Sequence, residues 1–151
     1  MDTIDIKGFF LVGISVRTTN ANGQSAKDIG ELWERFMDEG ILLKIMNRIN
    51  DDVYCVYTDY ESDQNGFYTT VLGCRVNSPD NIPVGLISLI VAPGTYLKYT
   101  AKGRLPECVA ETWQHIWNSS LNRRYTADFD LYSTKAQNPE DAEVEVYVGV
   151  K

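Results

Sequence analysis

The chain is poor in the side chains that most catalysis and metal chemistry use. Its 151 residues include one histidine, His115, and three cysteines, Cys55, Cys74 and Cys108. The cysteines lack zinc-ligand spacing, and an odd number cannot close a disulfide framework, so a reducing, cytoplasmic setting is expected. Cys108 and His115 fall on one face of an expected helix, yet at 1.5 Å rise per residue they stand about 10 Å apart, too far for a nucleophile and its base. Phosphate-cradling glycine loops, nucleophile elbows, zinc signatures and calcium loops are all missing. No metal or other cofactor is therefore expected, and the chain does not read as an enzyme.

Positive charge is also scarce. Lys and Arg total 14 against 21 Asp and Glu, a net charge of -7. No basic run offsets that field, which argues against a nucleic-acid partner. Lys102-Gly103-Arg104 is short enough to be a solvated turn. Long apolar runs are missing as well: Phe9 to Val16 follows two aspartates and is too brief for a signal peptide or a membrane span. It reads as a strand instead.

Hydrophobic residues make up 44% of the chain and charged ones 23%, which suits one compact domain over residues 1–151 with an ordinary core. The order of elements repeats. FFLVGISVR (9–17) is a strand; Ser25 offers a helix cap, with Asp28 three residues on, and Ile29, Leu32, Trp33, Phe36 and Met37 recur at helical spacing up to Gly40. ILLKIMNRIN adds a helical turn, and VYCVYTDY and GFYTTVLGCRV form a hairpin across ESDQN. NSPDNIPVG then marks a join, giving halves of roughly 1–84 and 85–151.

In the second half, LISLIVAPGTYLKYTAKG reads as one strand bent at Pro93-Gly94. Pro106 opens a helix with Val109, Trp113, Ile116 and Trp117 on its packed stripe and His115 pointing to solvent. ADFDLYS and EVEVYVGV close the half as strands. The expectation is an α+β fold made of a strand-helix-strand-strand module used twice, an antiparallel sheet with helices packed on it. Val144, Val146, Val148 and Val150 should face a helix, with Glu143, Glu145 and Tyr147 on the other side of that strand.

Asp128, Asp130 and Tyr132 likewise share one side of their strand. From the residues alone, this acidic and aromatic set fits either a solvated outer face or a groove. Tyr54, Tyr57, Tyr60, Phe67 and Tyr68 fit cross-strand core pairs more readily than a ligand wall. Trp33, Trp113 and Trp117 lie on helix stripes, where burial against a sheet is usual.

Three segments resemble the GyrI-like small-molecule-binding family, the effector-binding domain of bacterial transcription activators. They are VYTDYESDQNGFYTTVLG, APGTYLKYTAKGRLPECVAETWQHIW, and the closing pair DFDLY and VEVYVGV. The likeness spans nearly the whole chain. It implies two modules related by a pseudo-twofold, with a ligand groove where they meet. It also implies an acid on the penultimate strand that faces cationic ligands, usually Glu in a phenylalanine-acid-x-tyrosine motif. Here the motif is Phe129, Asp130, Leu131 and Tyr132, with a carboxylate one methylene shorter.

The resemblance therefore favours the groove. Asp130 is expected to be a counter-charge, with Glu145 sharing the role. Tyr132, Tyr147, Tyr57 and Tyr68 are expected as walls, and Trp113 and Trp117 as further ligand contacts. The expected partner is a lipophilic cationic small molecule, with a homodimer or a regulatory protein as further possibilities. The chain resembles stand-alone members without a DNA-binding module, such as those carried on mobile gene cassettes. Two other functions fit the resemblance: hydrolysis of electrophilic small molecules, and inhibition of a topoisomerase through protein binding.

Overall fold

The computed structural model describes residues 3–151. In chain order the elements are β1 (Thr3–Ile6), β2 (Phe9–Thr19), α1 (Gln24–Asp38), α2 (Ile41–Lys44), β3 (Val53–Thr58), β4 (Phe67–Val76), β5 (Ile87–Val91), β6 (Gly94–Gly103), α3 (Glu107–Trp117), β7 (Arg123–Tyr132) and β8 (Ala142–Val150). The strands form one antiparallel sheet in the order β1-β6-β8-β7-β3-β4-β2-β5. Its middle, β6-β8-β7-β3-β4-β2, comprises two strand-helix-strand-strand modules meeting at the β3–β7 pair. The fold is α+β, as the repeated pattern implies.

The sheet has two unlike faces because alternate side chains point to opposite sides. On one face, α1 sets Leu32 and Phe36 against Val12, Ile14, Leu72 and Cys74. On the same face, α3 sets Val109, Trp113 and Ile116 against Val144, Val146 and Val148. Val144, Val146 and Val148 of β8 thus lie beneath a helix, as expected, whereas Val150 is buried outside that cluster. The sheet curls so that its other face encloses a second core built on Phe9, Leu11, Tyr54, Val56, Tyr96 and Phe129. At the directly paired Gly13 and Gly73, an added Cβ would lie only 2.0 and 2.1 Å from a carbonyl oxygen of the facing strand. Only glycine permits so close an approach.

Three local expectations need correction. The LISLIV…YTAKG segment is two strands rather than one bent strand: β5 pairs with β2, while β6 pairs with β1 and β8. Pro93 has no N–H to continue a ladder, and the chain leaves the β5 edge of the sheet there to re-enter between β1 and β8. The short β1 ahead of Phe9 completes that exchange, so each half lends an edge strand to the other. Ser25 does not cap α1. The helix begins at Gln24 after Gly23, which adopts a left-handed φ of 71°, and Asp28 instead accepts hydrogen bonds from Thr18 and Gln24. Met37 is 69% exposed, outside the buried stripe.

Candidate functional site

The two helices leave a gap over the β3–β7 seam. A cavity of about 460 Å³ fills it, walled by Trp33 and Ile29 of α1 and by Val109, Trp113 and Trp117 of α3, with Tyr57, Tyr68 and Tyr132 rising from the sheet. Tyr60, Gln64 and Arg123 close one end. The rings meet mostly edge to face: Tyr57 lies 5.4 Å from Trp113 and 6.0 Å from Tyr68, and Trp33 lies 4.8 Å from Tyr132. Such packing fixes the orientation of the rings that line the cavity.

Asp130 lies one layer below this lining and is fully buried. The Tyr57 hydroxyl donates to its Oδ2 at 2.5 Å and the Trp113 indole N–H to its Oδ1 at 2.9 Å. Both donors are neutral, so no cation balances the carboxylate. Burial pushes Asp130 up to about 7, against the pull of the Tyr57 and Trp113 hydrogen bonds and with a further push from the Asp128 charge. Tyr57 and Tyr132 are held well above the usual tyrosine range, first by burial and then by the Asp130 charge, so both keep their protons and Tyr57 remains a donor to Asp130. Burial also raises Tyr68, to about 12.

Asp128, two residues earlier on the same strand face, is also fully buried but saturated with partners. It accepts from Arg123 Nη2 at 2.8 Å, from the Gly149 backbone N–H at 2.7 Å, and from the Tyr60 hydroxyl. The site thus contains two buried carboxylates, one already matched to a cation and one without.

Six of the eight expected residues converge here: Asp130, Tyr57, Tyr68, Tyr132, Trp113 and Trp117. Glu145 and Tyr147 do not. Register pairs Leu131 with Glu145 and Asp130 with Val146, which turns Glu145 and Tyr147 to the opposite face of the sheet. There Glu145 pairs with Lys98 at 2.8 Å, and Tyr147 stacks on Phe129 at 4.7 Å. Glu145 therefore cannot share the Asp130 role. His115 is exposed at the outer side of α3, as expected.

Sequence reasoning missed Trp33, Tyr60, Gln64 and Arg123. Trp33 was readable as part of an apolar stripe, but not as the edge of that stripe that overhangs a gap. Tyr60 and Gln64 sit in the ESDQN connection and its approach, where no periodicity assigns a direction. Among the described residues no cluster of His, Cys, Asp and Glu could hold a metal ion, and no helix is long and apolar enough to cross a membrane.

Comparison with known proteins agrees with this fold. The model of the Cass2 family, described as integron-associated effector binding protein, matches residues 4–150. The Bacillus subtilis protein YobU, named as a candidate transcriptional regulator, is 30% identical over 98% of this chain and 94% of its own length. The crystal structure of an integron cassette protein from the mobile metagenome of Vibrio cholerae superimposes with a TM-score of 0.75 at 31% identity, covering 99% of this chain and 95% of that one. SAV2435, solved bound to tetraphenylphosphonium, superimposes with a TM-score of 0.82 over 99% of this chain and 93% of its own; at 18% identity the likeness is one of fold. The family is described as one of effector-binding proteins. On the match across nearly its whole length, the chain belongs to the Cass2 family of integron-associated effector binding proteins.

Proposed function

We propose that the protein binds lipophilic organic cations in the cavity over the β3–β7 seam, with Asp130 as the counter-charge and the surrounding rings as walls. The observation that carries this reading is a fully buried carboxylate held only by neutral donors beneath an aromatic cavity. Burying an unpaired charge costs several kcal/mol, and an arriving cation recovers part of that cost. At an effective dielectric of about 20, a cation about 6 Å from the carboxylate gains about 3 kcal/mol. Contact with a ring face adds about 0.5–2 kcal/mol.

The walls set the ligand class. A small inorganic ion would remain hydrated and find no oxygen cage, whereas a large aromatic cation buries apolar surface away from water against these walls. The tetraphenylphosphonium bound to SAV2435, a protein of the same fold, is a ligand of this kind and supports the reading.

The protonation of Asp130 gives the test. A cation binds the ionised form, so affinity rises with pH through about 7 and levels off above it. Titration with tetraphenylphosphonium should show roughly 30-fold weaker binding at pH 5.5 than at pH 8. That dependence should vanish in Asp130→Asn, with the residual affinity low at both pH values. Equal affinity at the two pH values in the native chain would reject Asp130 as the counter-charge.

A further inference from the structure

The cavity contains one cation of its own. Arg123 is 5% exposed, lines the cavity, and sits with its guanidinium 5.6 Å from the centre of the Trp113 ring and 4.4 Å from that of Tyr125. It donates from Nη2 to Asp128 at 2.8 Å and from Nη1 to the Gln64 side-chain oxygen at 3.0 Å. Two aromatic faces and a buried carboxylate are what the proposed ligand would seek, and here a side chain of the protein already occupies them.

Local geometry places Arg123 there against the ordinary strand pattern. Residues 123 and 128 differ by an odd number, so regular alternation would put them on opposite faces. The ladder is broken between them: Arg123 pairs with Val150 and Asp128 with Val148, so three extra residues of β7 are looped out. Within that bulge Tyr125 takes a left-handed φ of 57°, a conformation disfavoured for a residue with a bulky side chain. The irregularity turns Arg123 onto the face that carries Asp128 and Asp130.

Building on the reading of the cavity as a cation site, we propose that Arg123 is a resident cation that sets the charge the pocket accepts. It occupies the second carboxylate, so the site takes ligands with one positive charge and rejects dications. Without Arg123, Asp128 and Asp130 would stand two residues apart on one strand face, about 7 Å, a spacing that suits two linked positive centres. With Arg123 in place, the second charge of a dication would meet a like charge instead of a partner, a repulsive element that creates specificity.

Two flat bicyclic probes of the same shape separate these cases: methylphenylpyridinium, with one charge, and methyl viologen, with two. By calorimetric titration of the whole chain, the native protein should bind the monocation at least about tenfold more tightly. Arg123→Gln should shift that ratio at least about tenfold toward the dication. Asp128→Asn leaves the guanidinium unneutralised and should weaken the monocation about tenfold. The double variant Arg123→Gln/Asp128→Asn has lost both charges and should return to the native ratio. Equal binding of the two probes by the native protein would overturn the proposal without recourse to any variant. So would a ratio unchanged in a folded Arg123→Gln, or, should that variant not fold, monocation affinity unchanged in Asp128→Asn. In each of these results the monocation still binds, so the cation-site reading survives. If neither probe nor tetraphenylphosphonium binds the native chain, both fail.

Discussion

Asp130 and Glu145 lie on neighbouring strands, nearly opposite one another, yet the sheet sends them to different environments. Asp130 faces the helices, where α1 and α3 exclude water and only neutral donors reach it. Glu145 faces the other side, where Lys98 meets it at 2.8 Å and solvent reaches both partners. A carboxylate with a built-in, hydrated partner gains little from an arriving cation. A buried carboxylate without one recovers part of a desolvation cost when the cation arrives. The capacity to bind therefore rests on what the fold withholds from Asp130, not on how many acids the chain has.

Substitution at the two positions gives the sharpest contrast. Asp130→Asn should weaken tetraphenylphosphonium binding about a hundredfold or more at pH 8, where Asp130 is ionised. Glu145→Gln should change it less than about twofold, because the Lys98 pair is on the far face and partly exposed. Comparable losses at both sites, by the same titration, would abolish the distinction between the faces.

Stability should respond in the opposite sense. Because the folded state raises Asp130 from 3.8 to about 7, its native form holds the proton more tightly than the unfolded chain. The stability this provides is complete below about pH 4 and disappears as pH rises through 7. At pH 8 Asp130→Asn removes the buried charge but also forfeits one of two good hydrogen bonds. A net gain of about 1–3 kcal/mol is expected, read as a higher denaturation midpoint at pH 8 that shrinks toward pH 4. A midpoint that falls at pH 8 would mean that Asp130 is already compensated.

A smaller effect is expected at Tyr57. Its hydroxyl both supports the ionised carboxylate and lines the cavity, so Tyr57→Phe should weaken binding about tenfold at pH 7. The midpoint of the pH dependence should also move up, since a hydrogen bond that lowers Asp130 has gone. Weaker binding with an unmoved midpoint would show that Tyr57 acts as a wall and nothing more.

Much of this arrangement was legible in the residues. The two helix stripes, the hairpins and the valine row of β8 follow from periodicity, and the repeated order of elements points to a seam. Alternation also placed Asp128, Asp130 and Tyr132 together. It could not relate one strand to the next, because a one-residue difference in register flips a whole strand face relative to its neighbour. That is why Glu145 was expected beside Asp130 and lies behind it. The helix-facing valines carried the missing signal: if Val144 and Val146 meet α3, Glu145 cannot. The edge exchange of β1 and β5 depends on how far the sheet curls, which no local pattern states. Arg123 was hidden for a third reason. Its place depends on the bulge at Tyr125, where the alternation used to assign faces breaks down.

The most direct measurement is the number of protons released when the cation binds. Calorimetric titration of tetraphenylphosphonium at pH 7, in buffers of differing ionisation enthalpy, reports it without any substitution. With Asp130 near 7 in the free protein and ionised in the complex, about half a proton should leave per ligand bound at pH 7, falling toward zero by pH 9. Binding with no proton release at pH 7 would contradict a buried, half-protonated Asp130 as the group that receives the cation.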